Sequence, residues 1–492
     1  MFTFLLGGTS IEWKLINHGC SQRDLQGDRE HVPGVFLMLH PDAIPPKTRR
    51  HLSFDPLIRR IRLRAKQLPD PRNQSDCEYS MADALMSALA LFSLKDPSLL
   101  AFEKRRYDEN IKNLFRVLNV PSDTQMRTIL DPLEPDLLRP MFNDVFRQLQ
   151  RGKTLEPYVF HDGCYLLSLD GTGYFSSKKI HCESCLQKKN SKTDEITYQH
   201  QMLGTAVVHP DHKQVIPLAP EPIIKQDGDN KNDCERNAGK RLLQKIRDEH
   251  PNLKLIVVED GLASNAPHIR ELKRLDMHFL LGAKPDDHEH LFAEVSRAEA
   301  AGRATTLRWT EVAKKEEVQC EIRFAHDLPL NKSNADLRVH FLQYTEYAPD
   351  GSIRKRFSWV TDLTITGDNA RHLVRGGRAR WKIENETFNT LKNQDYHFEH
   401  NFGHGEQNLS VIFAMLMMLA FLVDQTQELC CPLFQAVHKK LVSRRSLWDH
   451  LRSHFRHCLC ESMQQLQEAI LYDLAKEMPI PGFASRRGAR VP

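Results

Sequence analysis

Apolar residues along the chain follow two different periods, and the change of period falls near Tyr165. Between Ser80 and Gln150 the pattern is helical: MADALMSALALFSL predicts an apolar helix, and FEKRRYDENIKNLFRVL predicts an amphipathic helix with one buried face. DLLRPMFNDVFRQLQRG repeats the pattern, with Pro140 inside it as a bend or a break. The pattern therefore predicts a small helical domain before the change.

After Tyr165 the apolar residues come in short runs bounded by turn residues, which indicates strands. YLLSLDGTGYF, YQHQMLGTAVVHP and QVIPLAPEPI predict three strands, and LKLIVVEDG and HFLLGAK predict two more. A helix is expected over about Asp233–Asp248, and a second one begins after Asn265, which is a favourable N-cap. Three strands followed by alternating helices and strands predict an α/β fold with a mixed sheet.

The remaining segments complete a division of the chain into regions. Short strand-like runs such as TTLRWTEV and VHFLQYTEY predict a β-rich insertion over 286–365, and helical patterns resume near Asn369. The predicted regions are an unassigned N-terminal extension over 1–46, a helical basic domain over 47–152, an α/β core over 160–285 and 366–425, the insertion between its two parts, and C-terminal basic helices with a tail over 426–492.

The longest apolar run, Leu409–Val423, is too short to suggest a membrane span. It has about 15 residues, fewer than the roughly 18 to 20 that a spanning helix needs, so a buried core helix is favoured. The first residues, MFTFLLGGTSIEW, make a poor signal peptide because no basic segment precedes their short apolar stretch. With 40% hydrophobic and 27% charged residues among 492, the composition favours a large globular core.

The eleven cysteines are scattered, without the regular spacing of a disulfide framework. This usage favours reduced thiols in a cytosolic protein. Cys182 and Cys185 form a close pair in HCESC, and Cys164, His200 and Cys234 lie elsewhere. A structural zinc site usually draws on two close pairs, so an ordinary reduced pair on a loop is favoured over zinc.

Basic residues are concentrated in two helical regions, although the net charge is only +4. Lys47–Lys66 holds eight lysines and arginines against one acid, Asp55, which is expected to cap a helix with Pro56 following it. His438–His457 is the second basic region. Such stripes usually face polyanions, and nucleic acid is the favoured one, although a solvated helix face has the same pattern. The DNA-binding candidates in the first region are Arg59, Arg60, Arg62 and Arg64.

Two of the predicted strands end in an aspartate followed by glycine. Asp170 follows an apolar run, and so does Asp260, which shares a strand face with Val258 while Glu259 points the other way. Either Asp-Gly alone is typical of a turn, but parallel neighbouring strands would place the two carboxylates side by side. Like charges this close need a neutralising partner, and oxygen ligands favour Mg²⁺ or Mn²⁺.

A third acid lies on the predicted helix RARWKIENETFNTLKNQ. At about 100° per residue, Glu384 falls within an apolar stripe formed by Trp381, Phe388 and Leu391. A carboxylate on a buried stripe needs a partner. An ion pair with Arg380, one turn earlier, is one explanation, and metal ligation is the other. The basic residues that could contact phosphates beside this acid are Arg378, Arg380 and Lys392.

Together, Asp170 in SLDGTGYFSS, Asp260 in VVEDGLASN and Glu384 in RARWKIENETFNTLK resemble the catalytic set of DDE transposases of bacterial insertion sequences. The likeness is greatest to the IS-four-like group, whose third-acid helix carries Tyr, two residues, Arg, three residues, Glu, six residues, Lys. Arg380 matches this spacing. Gly377 stands at the tyrosine position, and Lys392 follows the glutamate after seven residues instead of six. The resemblance covers roughly Ser80–Leu422.

The resemblance implies a ribonuclease-H-like fold, with a five-stranded mixed sheet, a β-rich insertion and a later helix that carries the glutamate. It implies that Asp170, Asp260 and Glu384 hold Mg²⁺ or Mn²⁺ for phosphodiester hydrolysis and strand transfer. The implied partners are transposon ends and target DNA, with a homodimer on the DNA, no membrane and a cytoplasmic, nucleoid-associated location in bacteria. The alternatives are a catalytically inactive DNA-binding relic or regulator on the same scaffold, and a non-specific metal-dependent nuclease.

Two further segments lie in the part of the chain that the resemblance covers. In NDCERNAGKRLL, Asp233 is a natural N-cap, and the resemblance hints at roles for Glu235 or Arg236. HNFGHG carries His400 and His404. This segment either forms a tight turn that faces DNA or takes its shape from its glycines alone.

Overall fold

A computed structural model of the chain describes residues 50–72, 77–224, 234–313, 316–476 and 478. The extension over 1–46, Lys47, Arg49, the Asp233 helix cap and the C-terminal tail lie outside the described residues. The helices of the first half are α1 (Phe54–Ala65), α2 (Met81–Ser93), α3 (Leu99–Glu103), α4 (Glu109–Phe115), α5 (Asp123–Leu130), α6 (Arg139–Arg151) and α7 (Glu235–Glu249). Those of the second half are α8 (Ala266–Arg274), α9 (Glu289–Ala300), α10 (Ala370–Ala379), α11 (Asn389–Asn393), α12 (Leu409–Cys430), α13 (Pro432–Leu441), α14 (Arg444–His457) and α15 (Met463–Tyr472).

The described strands all belong to one mixed sheet. They are β1 (Val159–His161), β2 (Cys164–Ser177), β3 (Leu186–Lys189), β4 (Ile196–Val208), β5 (Ile216–Pro217), β6 (Glu221–Ile223), β7 (Leu255–Glu259), β8 (His278–Gly282), β9 (Ala304–Ala313), β10 (Glu316–Asn331), β11 (Asn334–Tyr347) and β12 (Ile353–Thr361). Their order is β3-β4-β2-β7-β8-β12-β11-β10-β9, with β1 paired to β2, and β5 and β6 paired to β4. The predicted mixed α/β class is confirmed.

The strands predicted for the α/β core are present, but they form only part of a twelve-stranded sheet. β2 pairs antiparallel with β4 and parallel with β7, and β7 pairs parallel with β8. QVIPLAPEPI was predicted as one strand and divides into β5 and β6. Its three prolines explain the division, because proline has no N–H to donate to a neighbouring strand.

The predicted β-rich insertion extends this sheet. β9 to β12 form an antiparallel meander, and β12 pairs antiparallel with β8, where Val360 lies opposite Leu281. The five-stranded sheet expected from the sequence is therefore too small. Pairing between β8 and β12 joins segments about 80 residues apart, and such pairing leaves no sign in the local pattern of either strand.

The helices at the two ends of the described chain pack on one another. Asp55 was predicted to cap α1, but Ser53 holds that N-cap position. The Asp55 carboxylate instead accepts the backbone N–H of Met463, at 2.9 Å, and so caps α15. The Asn110 side chain on α4 donates to the Phe455 carbonyl of α14 at 2.7 Å. The N-terminal and C-terminal helical regions are thus joined by buried polar contacts as well as by apolar packing.

Capping and proline explain where several helices begin. FEKRRYDENIKNLFRVL was predicted as one helix and forms α3 and α4, because Asp108 caps a new start by accepting the N–H of Asn110 at 3.0 Å. Pro140 lies in the first turn of α6, so it marks a break and not an internal bend. Asn265 caps α8, as predicted.

The apolar run predicted as a core helix is α12. Among the described residues it is the helix long and apolar enough to cross a membrane, and 94% of its most apolar window is buried within the protein. Burial by protein on all sides is typical of a core helix. The prediction of a buried core helix is confirmed.

His250 follows α7 as a buried histidine, with its ring centroid 4.7 Å from that of Phe146. Burial lowers the pKa of His250 to about 4; the charge of Glu249 opposes this effect, and the charges of Arg147 and Arg139 add to it. The folded protein therefore resists protonating His250, whereas the unfolded chain takes up the proton near the usual pKa of about 6.5. Between these two pH values the unfolded state binds more protons, so the stability falls as the pH falls.

We expect His250→Phe to remove this pH dependence. In the wild-type protein the free energy of unfolding should fall by up to roughly 3 kcal/mol between about pH 6.5 and about pH 4 from this histidine alone. Urea unfolding across that range measures the effect, and His400→Phe, at an exposed histidine, is the control. An identical pH dependence in wild type and His250→Phe would contradict the assignment.

Candidate active site

The sheet brings the two predicted aspartates to neighbouring positions. The parallel ladder of β2 and β7 pairs Ser168 with Val258, and the same register carried two residues further puts Asp170 beside Asp260. Adjacent strands are about 4.8 Å apart. Asp260 follows the end of β7, and its Oδ1 accepts the N–H of Leu262 at 3.0 Å. β2 and β7 therefore meet the condition of being parallel neighbours. The expectation that Asp170 ends its strand is wrong, because β2 continues to Ser177 through its pairing with β4.

Glu259 has a structural partner of its own. Its Oε2 lies 2.6 Å from Nε2 of His268 on α8. Burial by itself would lower the pKa of His268, but the Glu259 carboxylate outweighs burial and the pKa is raised. This ion pair fixes α8 to the end of β7 and separates the role of Glu259 from that of Asp260.

The segment before Glu384 is attached to the face of β2 that carries Asp170. The Ser168 hydroxyl donates to the carbonyl of Arg380 at 3.0 Å. Ser168 lies two residues before Asp170, and side chains two apart on a strand share a face. The start of the segment that carries Glu384 therefore crosses the sheet directly beside Asp170.

The segment after Glu384 also contacts the sheet next to Asp170, through β4. The Phe388 ring packs on Gly204, where an added Cβ would lie 2.7 Å from two ring carbons. Gly204 is the residue opposite Asp170 in the β2–β4 pair. Glu384 lies between these two attachments, so the fold holds it over β2 and β4.

Glu384 itself lies in a π-helical segment, Ile383–Phe388. Residues in a π-helix are not spaced at the 100° of an α-helix, so the helical stripe expected from the sequence does not form. Glu384 and Trp381 are exposed, whereas Ile383 and Phe388 are buried. The prediction that Glu384 lies on a buried apolar stripe is wrong. The carboxylate lies instead on an accessible surface, and π-helical turns of this kind are frequent at functional sites.

Asp170 is half-buried among charges of both signs. Burial raises the pKa of Asp170, the guanidinium of Arg380 opposes this, and the charges of Glu384 and Asp260 raise it further. Both acids therefore lie close enough for their charges to act on Asp170. Nη1 of Arg380 is 3.4 Å from Oδ2 of Asp170. In the described structure the ion-pair partner of Arg380 is thus Asp170, and the pair with Glu384 considered from the sequence does not form.

A fourth carboxylate, Glu235 at the start of α7, lies at the same site. It packs on Gly171, where an added Cβ would overlap the Glu235 carboxylate. Burial raises the pKa of Glu235, and the charges of Asp170 and Asp260 add to the increase. The sequence offered only a hint of this residue. The glycine after Asp170 was the available signal, because glycine lets another side chain approach the strand closely.

Three of these four carboxylates border a cleft of about 790 Å³. Asp170, Asp260 and Glu235 line it together with Arg236 and Lys240. The cleft therefore combines carboxylates that can hold a cation with cationic side chains that can contact phosphate.

The basic candidates on the Glu384 segment differ in their surroundings. Arg378 is exposed, with its guanidinium 5.4 Å from the centre of the Phe357 ring. Lys392 forms an ion pair with Glu399, with Nζ and Oε1 2.8 Å apart. Arg378 is therefore accessible to a ligand, whereas Lys392 would have to exchange a carboxylate for a phosphate.

Packing explains the glycine at the tyrosine position of the IS-four-like signature. An added Cβ on Gly377 would lie 2.5 Å from the Trp359 indole, so α10 rests directly on β12. A side chain of any size at this position would have to displace the tryptophan.

The basic stripe of α1 is smaller than the sequence suggested. Arg62 lies on the buried face of the helix and pairs with Asp83 at 2.8 Å, with both side chains less than a tenth exposed. It is therefore not placed to contact DNA, and that candidate is withdrawn. Arg64 is about one-third exposed and has a carboxylate partner on α6. Arg59 is exposed and Arg60 is half-buried.

Residues 169–422 match the family described as the transposase DDE domain. The matched residues are more than half of the chain and include Asp170, Asp260 and Glu384. No curated protein matches the chain. The protein belongs to the DDE transposase family, a class of polynucleotidyl transferases that act on DNA, and the resemblance noted from the sequence is confirmed at this level.

Proposed function

We propose that this protein is an insertion-sequence transposase, which binds the terminal inverted repeats of its element and catalyses DNA cleavage and strand transfer. The observation that supports this most strongly is that the β2–β7 register puts Asp170 beside Asp260 while the charge of Glu384 acts on Asp170. Within this proposal, β4, β2, β7 and β8 are the centre of a ribonuclease-H-like core, and the protein belongs to the IS-four-like group.

The donor set fits a hard divalent cation. Burial raises the pKa of Asp170 most, and the charges of Glu384 and Asp260 raise it further. A bound cation would relieve this like-charge repulsion. Oxygen donors favour Mg²⁺ or Mn²⁺, and Asp170, Asp260 and Glu384 would hold the metal. When bound, a pair of such ions lowers the pKa of the attacking water or 3′-hydroxyl and stabilises the leaving oxygen.

The surrounding residues position the carboxylates. Arg380 contacts the Asp170 carboxylate and offsets part of the negative charge. Ser168 and Gly204 hold the two ends of the segment that carries Glu384. No covalent enzyme intermediate is needed, so the rate depends on the positioning of these groups and on charge stabilisation.

Cationic residues on two surfaces would bind the DNA backbone. Such contacts supply affinity and little sequence information. Two copies of the chain would pair two element ends, and we place this activity in the bacterial cytoplasm, at the nucleoid, without a membrane partner. The proposed phosphate-contacting residues are Arg378, Arg380, Lys392, Arg59, Arg60 and Arg64.

Labelled DNA from the element ends tests this function directly. With Mg²⁺, purified full-length protein should nick at the boundary of the terminal repeat, and EDTA should prevent nicking. DNA with a scrambled repeat is the control. Binding without nicking would favour the inactive regulator, and equal nicking of scrambled DNA would favour the non-specific nuclease.

A further inference from the structure

Four side chains of the metal-binding type converge outside the acidic cleft. Cys182 and Cys185 lie between β2 and β3, His200 lies on β4, and His404 lies in the loop before α12. All four are buried, and their donor atoms lie within 4.8 Å of one another. These four donor atoms are therefore close enough together to contact a single ion.

The distances within this cluster match the edges of a tetrahedral zinc site. Bond lengths of about 2.3 Å to sulfur and about 2.0 to 2.1 Å to nitrogen give edges of about 3.8 Å between two sulfurs and about 3.6 Å between sulfur and nitrogen. The Sγ atoms of Cys182 and Cys185 are 3.7 Å apart. His200 Nε2 is 3.3 and 3.4 Å from them, and His404 Nε2 is 3.2 Å from Cys185 Sγ.

We propose that Cys182, Cys185, His200 and His404 bind a structural Zn²⁺ ion. Two thiolates balance the charge of the ion, so the buried site carries no net charge. Two sulfurs and two imidazole nitrogens complete a four-coordinate site that leaves no position for substrate, as in structural zinc sites. Soft sulfur donors also distinguish this site from the all-oxygen donors of the acidic cleft.

The location of the cluster indicates what the ion would do. Cys182 and Cys185 lie in the connection from β2 to β3, and His200 lies on β4, which pairs with the strand β2 that carries Asp170. His404 is 219 residues beyond Cys185 in the chain and lies in the loop that joins the Glu384 segment to α12. The ion would therefore hold the segment after Glu384 against the paired strands β2 and β4, of which β2 carries Asp170.

The loop around His404 is shaped for this contact. Gly403 and Gly405 both have positive φ, 140° and 69°, which glycine adopts without strain. The His404 ring packs 4.3 Å from that of Phe175 on β2. The Asp131 carboxylate accepts the N–H of Leu409 at 3.0 Å and caps α12 immediately after the loop. The loop is thus anchored on both sides of His404.

The sequence favoured a reduced cysteine pair because it displays only one close pair of ligands. The second histidine comes from a segment that only the tertiary structure brings near HCESC. His404 was considered for a turn facing DNA, but it is buried and directed at Cys185.

Metal analysis of the purified full-length protein tests the proposal without reference to DNA cleavage. We expect about one equivalent of zinc per chain, and release of that zinc into a metallochromic dye when an organomercurial blocks the thiols. Replacing zinc by Co²⁺ should produce thiolate-to-cobalt absorption and the visible bands of a tetrahedral complex. These measurements use the wild-type protein, so they do not depend on whether a variant folds.

Variants then assign the ligands. Cys182→Ser and His404→Ala should weaken zinc affinity at least about 100-fold and lower the melting temperature. Cys164→Ser, at another buried cysteine on β2, should retain the zinc. Wild-type protein with reduced thiols that neither contains zinc nor binds added Zn²⁺ or Co²⁺ would overturn the proposal. Full zinc content in both ligand variants would overturn it as well.

Discussion

Asp170→Asn should lower the rate of strand cleavage on the order of 10³-fold or more, while DNA binding stays within about twofold. The substitution keeps the size of the side chain and an oxygen that can accept the N–H of Gly171, now 2.9 Å from Oδ1. It removes the negative charge that would bind the cation. It also removes the ion-pair partner of Arg380. A loss of about 4 kcal/mol of transition-state stabilisation corresponds to this change in rate. Single-turnover cleavage and an equilibrium binding assay with the same labelled DNA measure the two effects separately.

Glu384→Gln should behave in the same way, and its matched control is Glu386→Gln. Both glutamates lie in the segment Ile383–Phe388, but only Glu384 is predicted to hold metal. Cleavage by Glu386→Gln should remain within a few-fold of wild type, because surface substitutions outside the site have small effects. Equal losses in both glutamate variants, or wild-type cleavage by Asp170→Asn, would refute the assignment of these acids.

Lys95→Met should reduce the free energy of unfolding by about 3 to 5 kcal/mol. The Lys95 ammonium is fully buried, contacts the Asp424 carboxylate on α12, and lies 3.9 Å from the Trp448 ring on α14. Asp424 also accepts a hydrogen bond of 2.6 Å from the Tyr396 hydroxyl. Burial lowers the pKa of Lys95 and raises that of Asp424. Removing the lysine therefore leaves a buried carboxylate without its cation.

Urea or thermal unfolding of the variant measures this loss. Lys104→Met, at an exposed lysine nearby in the chain, should change the stability by no more than about 0.5 kcal/mol. The double variant Lys95→Met, Asp424→Leu should recover a large part of the loss, because no charge then remains buried without a partner. A Lys95→Met protein as stable as wild type would show that the pair of Lys95 and Asp424 does not stabilise the packing of the end of α2 on α12.

The local sequence pattern was sufficient to predict most helices and strands and to find two of the three acids. Apolar runs followed by Asp-Gly located Asp170 and Asp260 on two strands that are parallel neighbours, although only Asp260 lies at a strand end, because β2 continues past Asp170 to Ser177. The long apolar run predicted α12 correctly, since a helix that is apolar on every side must be buried. These features depend on residues that are neighbours in the chain, which is why they are visible in the sequence.

The predicted position of Glu384 was wrong because the prediction assumed regular α-helical geometry. An angle of 100° per residue placed Glu384 on a buried stripe, but the segment is π-helical and the carboxylate is exposed. The spacing of residues in the sequence does not record which hydrogen-bonding pattern a helical turn adopts. The structure holds the two ends of this segment by contacts with Ser168 and with Gly204, which come from distant parts of the chain.

The sequence by itself determined the class of fold, the buried core helix and the aspartates of two neighbouring strands. The tertiary structure decided the size of the sheet, the burial of Arg62 against Asp83, the approach of Glu235 to Gly171, and the meeting of His404 with Cys185. Backbone periodicity and capping act over a few residues, so the local sequence encodes them directly. A partner from a distant segment is selected by packing of the whole chain, and no local pattern records it.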